Sequence, residues 1–201
     1  MEPNGRSFGT KSIFLATILG SAFIAFKLFF GGPSESIGHT NFSRSVGVRK
    51  AVAVMSGATP ATGNVTFEQP TSGGEVKISG KIKGLSPNAL HGFHVHQYGN
   101  LTGGCDSAGP HFDLYGNKHG APTAKIRHVG DLGNIKTDAS GEADFALTDK
   151  VMSLEGPKNI IGRAIVVHVG QDDLGLGGTP ESLINGNSGP RAACGVIVGI
   201  A

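Results

Sequence analysis

Seven of the eight histidines in this 201-residue chain fall between positions 91 and 168. His94 and His96 flank Val95. On a strand, residues two apart share a face, so both imidazoles point one way while Phe93 and Val95 point the other. Imidazole suits both copper and zinc, and two side by side on one strand make half of a copper site. A lone H-x-H also occurs on ordinary polar strand faces, so the remaining spacing has to sharpen the pattern. His111 is followed after seven residues by His119. His128 and Asp131 offer an imidazole and a carboxylate close together, and His168 ends the apolar run Ile165-Val166-Val167. A carboxylate beside three histidines favours tetrahedral zinc. Any one of these histidines could be a satisfied structural residue; so many in one stretch point to a metal centre. His39 stands alone upstream and takes no role.

Short strands must position these groups. Glu75 to Leu85 alternates apolar residues with Lys77, Ser79, Lys81 and Lys83, the period of a half-buried strand. Other candidates are Ala51–Met55, Asn64–Glu68, Leu90–Tyr98, Arg127–Thr137, Gly141–Thr148, Ile160–Val169 and Ala192–Ile200. Eight short strands, broken by Gly, Pro, Asn and Ser turns, predict an all-β antiparallel sandwich or barrel. No segment from Val48 onward reads as a long amphipathic helix. Two connections, Gly99–Ile126 and Gly170–Pro190, are too long for turns, and long ordered loops in compact domains usually serve function.

The motifs H-G-F-H-V-H (91–96), A-G-P-H-F (108–112), R-H-V-G-D-L-G (127–133), V-V-H (166–168), D-D-L-G-x-G-G (172–178) and R-A-A-C-G-V-I (191–197) stand in order along residues 50–201. Together they resemble eukaryotic copper/zinc superoxide dismutases, and with the N-terminal segment described below, the extracellular type. The resemblance implies an eight-stranded Greek-key β-sandwich with two long functional loops. It implies one copper ion per subunit held by His94, His96, His111 and His168. It implies one zinc ion per subunit held by His111, His119, His128 and Asp131. His111 then bridges both metals and, with Arg191, carries catalysis: superoxide becomes O2 and hydrogen peroxide as copper is alternately reduced and reoxidised. Arg191 matches the cation that attracts the anionic substrate. Asp172 matches a carboxylate linking a copper histidine to a zinc histidine, His94 and His119. His91 matches a histidine that ties the structure together near the site and binds no metal. Cys105 and Cys194 match the family disulfide. The family commonly forms homodimers. The chain departs from the family at the mouth of the site, with Gly170 and Ile184 where lysines are common and Pro180 where a glutamate is common.

Charge narrows the partners further. From Val48 onward thirteen Lys/Arg balance thirteen Asp/Glu, so no basic field suits nucleic acid. The absence of M-x-C-x-x-C and the presence of only two cysteines argue against a copper carrier. Read without the resemblance, those two cysteines could be a disulfide or two separate thiols.

The N-terminus carries the localisation reading. After polar residues with Arg6 and Lys11, the fourteen residues Ile13–Phe26 fit the apolar core of a secretory signal. The nineteen residues Ser12–Phe30, with Lys27 near one end, fit an uncleaved signal anchor equally well. Residues 1–36 are therefore expected to be a signal peptide or signal anchor, 37–47 a linker, and 48–201 the catalytic domain. Either form places the domain outside the cytosol, secreted or at the cell surface, with membrane contact only through the N-terminal segment. Three N-x-[ST] sequons, at Asn41, Asn64 and Asn100, are glycosylation candidates.

Overall fold

The computed structural model describes residues 49–200; the expected signal, linker and Asn41 sequon lie outside the described residues. Nine strands form two antiparallel sheets. They are β1 (Arg49–Met55), β2 (Thr62–Gln69), β3 (Val76–Lys83), β4 (Leu90–His96), β5 (Asp131–Lys136), β6 (Ala143–Asp149), β7 (Ala164–His168), β8 (Arg191–Val196) and β9 (Val198–Ile200). One sheet has the order β6-β3-β2-β1-β9, the other β5-β4-β7-β8. Strand β3 pairs with β6 and β4 with β5, so the chain crosses to the second sheet and returns in Greek-key fashion. No helix among the described residues is long and apolar enough to cross a membrane. The one α-helix among the described residues, α1, is the single turn Ser182–Asn185.

Alternation explains the first sheet. In β3, Val76, Ile78 and Ile82 are buried while Lys77, Lys81 and Lys83 are exposed. Those residues meet Ala51, Ala53 and Met55 of β1 and Val65 and Phe67 of β2 in one core. The second sheet contributes Phe93, Val95, Ile135, Ile165 and Val167. Phe93 and Phe145 meet edge to face across the sandwich, with centroids 5.2 Å apart.

All the expected strands shift at one or both ends, Ile160–Val169 shortening to Ala164–His168, and two of the shifts have a clear structural cause. The run expected at Ala192–Ile200 divides at the fully buried Ile197: β8 stays in the four-stranded sheet, and β9 crosses to pair with β1. A strand that turns the corner of a sandwich serves both sheets. The run expected from Arg127 becomes strand only at Asp131, because residues 127–130 leave the ladder to place His128.

Strand β4 shows how the site is seated. Six of its seven residues are buried, on both faces. Phe93 and Val95 enter the core as alternation requires. The opposite face, with His94 and His96, is buried beneath the loops 97–130 and 169–190.

Candidate metal centre

The backbone first brings the histidine-bearing segments together. His96 and His111 form an isolated antiparallel bridge. The Val95 amide donates to the Gly130 carbonyl (2.9 Å), the Phe112 amide to the Val95 carbonyl (2.8 Å) and the Gly130 amide to the Phe112 carbonyl (2.9 Å). Three remote segments therefore share a ring of backbone hydrogen bonds beneath the imidazoles. Gly130 is required there, since a Cβ would stand 2.1 Å from the Val95 oxygen. In the ladder His94 lies opposite Asp131, which completes the convergence.

Most of the rings are then held by one nitrogen, leaving the other free. His96 Nδ1 donates to the Gly109 carbonyl at 2.8 Å and His168 Nδ1 to the Gly189 carbonyl at 2.9 Å. His128 Nε2 donates to the Asn117 carbonyl at 3.0 Å. Asp172 takes two rings at once, His94 Nε2 on Oδ2 at 2.9 Å and His119 Nε2 on Oδ1 at 2.8 Å. Such anchors fix tautomer and ring direction, and leave a bare lone pair on the other nitrogen. Asp172 is itself held by Asn134, whose side chain donates to the Asp172 carbonyl at 2.9 Å and accepts from its amide at 2.8 Å. Gly186, at φ +69°, passes over this carboxylate; a Cβ there would lie 2.0 Å from Asp172 Oδ1.

The freed atoms gather into two groups that share one ring. His94, His96, His111 and His168 present ligand atoms within 4.8 Å of one another, as do His111, His119, His128 and Asp131. In the second group the Nδ1 atoms of His111, His119 and His128 stand 2.9, 2.9 and 3.1 Å from Asp131 Oδ1. Hydrogen bonding does not account for this crowding: His119 Nδ1 is buried and makes no hydrogen bond, and one carboxylate oxygen has only two lone pairs. Donors about 2.0–2.1 Å from a tetrahedral ion stand ~3.3 Å from each other, which is close to this spacing. In the first group His94 Nδ1 and His111 Nε2 are also buried without a partner, and His96 Nε2 faces His168 Nε2 at 3.4 Å. Metal ions are what these lone pairs fit.

Electrostatics agree. Burial holds the pKa of His94 and His96 well below the ordinary histidine value and lowers that of His168 to about 4, so these rings stay neutral and able to donate. Burial also opposes charge on Asp131, yet the adjacent rings of His111, His119 and His128 win and hold its carboxyl well below the usual range. The backbone amides of His128 (2.8 Å) and Gly120 (3.1 Å) stabilise its second oxygen. For Asp172 burial is likewise outweighed by His119 and His94, and its pKa is lowered.

Arg191 lies beside the first group. Its Nη1 donates to the carbonyls of Cys105 (2.6 Å) and Asp106 (3.2 Å), and its Nη2 to that of Gly109. Cys105 and Cys194 form a disulfide, which ties the short helical turn Cys105–Ala108 to β8. A cleft of about 250 Å³ opens onto His96, His111 and His168, with Ile184, Asn185 and Arg191 at its sides. His91 lies outside both groups; its ring sits between the carbonyls of His168 (2.9 Å) and Ser86 (3.2 Å), linking β4 to the end of β7.

The structure adds residues that spacing did not single out. Asn134, Gly130 and Gly186 are described above. The buried pair Arg127–Asp149 holds the loop carrying His128, with a further bond from Arg127 to the Asp131 carbonyl. Arg163 stacks 3.5 Å over the ring of Phe112, next to His111. In sequence, only Arg163, a lone charge in the apolar run from Ile160 to Val167, carried a signal; Arg127 carried none beyond its place in the motif 127–133.

An all-β Greek-key sandwich with six histidines and an aspartate in two linked ligand groups defines a two-metal β-sandwich protein. The sequence profile of the copper/zinc superoxide dismutase family matches residues 61–197. A copper/zinc superoxide dismutase of Yarrowia lipolytica is 54% identical over 148 residues, 74% of this chain and 96% of that protein. Those of Humicola lutea and Kluyveromyces lactis are 55% identical over 152 residues (76% of this chain, 99% of that protein) and 56% over 147 (73% and 95%). The chain belongs to the copper/zinc superoxide dismutase family, whose members are oxidoreductases that bind copper and zinc.

Proposed function

We propose that this chain disproportionates superoxide at a copper ion held by His94, His96, His111 and His168, beside a zinc ion held by His111, His119, His128 and Asp131. One observation carries the assignment. His111 alone among these rings has no protein anchor outside the two groups: its Nδ1 faces Asp131 at 2.9 Å, and its Nε2 is buried without a partner. A ring with both nitrogens committed to ligand groups fits a bridge. When bound, copper supplies one-electron chemistry, while zinc, which has no redox chemistry, supplies charge and geometry.

The chain's own residues do the rest. The carbonyls of Gly109 and Gly189 and the Asp172 carboxylate orient the copper-facing rings. His111 holds or releases a proton on Nε2 according to the charge facing it, which supplies one of the two protons that peroxide formation consumes. Arg191 draws the anion into the cleft and orients it. Superoxide offers little contact area, so fixed charge must do the capture. The test is metal analysis joined to a superoxide-disproportionation assay. One copper and one zinc per subunit with rapid turnover is expected, and both metals without turnover would overturn the catalytic reading. With paramagnetic Co(II) in place of zinc, the bridged pair should show magnetic coupling to Cu(II), and His111→Ala should lose it.

We further propose an extracytoplasmic setting. The support is the apolar run Ser12–Phe30 and the excess of sequons. Of the two described sequons, Asn64 and Asn100 are both exposed. N-terminal sequencing of the native protein, with a glycosidase shift on gels, tests this; an unmodified protein starting at Met1 in the cytosol would overturn it. A homodimer is proposed on the outward apolar residues Val54, Val198 and Ile200 of the adjacent strands β1 and β9, 73%, 54% and 46% exposed. Molar mass in solution decides it.

A further inference from the structure

The copper-side cleft holds one charged side chain along its walls, Arg191, and an acid stands beside it. Asp106 Oδ1 lies 3.8 Å from Arg191 Nε, and the Asp106 side chain is 93% exposed whereas that of Arg191 is 18% exposed. Asp106 is not among the residues lining the cleft; it lines an adjoining hollow with Cys105 and Arg191, so its negative charge stands close to the guanidinium that faces an incoming anion. No second cation lines the cleft to offset it: Ile184, 58% exposed, stands at its side. Arg191 is already held through Nη1 and Nη2 by the carbonyls of Cys105, Asp106 and Gly109, without the Asp106 carboxylate. That carboxylate contributes charge, with no hydrogen bond to the guanidinium.

We propose that Asp106 weakens anion capture at the cleft by opposing the field of Arg191. The effect reaches every small anion that competes there, the substrate and inhibitory anions alike. A surface charge acting across about one Debye length changes anion affinity by about twofold at low salt and by less at high salt. This inference rests on the copper assignment proposed above.

The direction of change separates this role from a positioning one. Azide, a small anion, is titrated into the metal-loaded wild type, Asp106→Asn and Asp106→Glu, following the visible absorption of copper at low and high salt. Asp106→Asn should bind azide about twofold more tightly at low salt, with the gain shrinking at high salt, and its catalytic rate should depend more steeply on ionic strength. Asp106→Glu, which keeps the charge, should match the wild type. Unchanged or weaker azide binding in Asp106→Asn would overturn the proposal, weaker binding meaning that the side chain positions Arg191. A wild type whose visible band is absent or ignores azide would instead sink the copper assignment.

Discussion

Each imidazole of the centre is specified by two contacts, one to protein and one toward the ligand group. Asp172 has the widest reach, because its two oxygens anchor rings of both groups. Asp172→Asn offers an amide hydrogen where one ring must donate, so one ring loses its orientation. Metal affinity should fall roughly 10–100-fold while the fold persists, measured by chelator competition. Arg191→Ala should lower the superoxide rate steeply with metal content unchanged; an unaltered rate would remove Arg191 from the mechanism. The same environments set a pH dependence in the metal-free protein. His168 is lowered by burial from 6.5 to about 4, and His94 and His96 are lowered too. As pH falls below 6.5 the unfolded chain takes up protons that the folded rings refuse, so stability drops toward about pH 4. His119 runs the other way: burial opposes its charge, but Asp131 and Asp172 raise it to about 9. Its contribution is complete below 6.5 and is lost as pH rises through about 9. Thermal melting of chelator-treated protein should therefore peak near pH 6.5 and decline on both sides.

At the scale of elements, the loops are positioned as firmly as the strands. Strand β4 supplies two imidazoles, but residues 111–112 and 128–130 reach them only through the backbone ring around Val95. That ring tolerates no side chain at Gly130. Gly130→Ala should destabilise the protein by about 1–3 kcal/mol through overpacking, and should weaken zinc retention more than an equally destabilising change in the first sheet. Denaturant titration with parallel metal analysis measures both. The division of the last strand at Ile197 has a comparable consequence: β8 carries Arg191 and Cys194 beside the site, while β9 caps the edge of the other sheet.

Over the whole molecule, two closures hold the site shut. The sandwich core joins both sheets. The disulfide between Cys105 and Cys194 spans 89 positions and fastens the long loop to β8. In the chain-entropy account a link closing a loop of this length stabilises by roughly 4 kcal/mol. The double variant Cys105→Ser with Cys194→Ser should lose about that much in denaturant titration. Because Arg191 donates to the Cys105 carbonyl, its anion affinity should fall as well. If stability dropped and anion affinity did not, the loop would hold Arg191 without the disulfide.

The amino-acid sequence by itself determined the strands that alternate, the ligand types and their order along the chain. Lys77, Lys81 and Lys83 mark the wet face of β3, and His94-Val95-His96 puts two rings on one face of β4. Those are local properties with a period of two. The tertiary structure decided what no local period encodes. It shows that the polar face of β4 is buried, that Asn134 clamps Asp172, and that Asp149 at the end of β6 answers Arg127 in the loop before β5. It also shows that Asp106 shadows Arg191 across 85 positions. Each of these depends on which remote segments pack together, and that is set by the sum of many weak contacts over the whole sandwich.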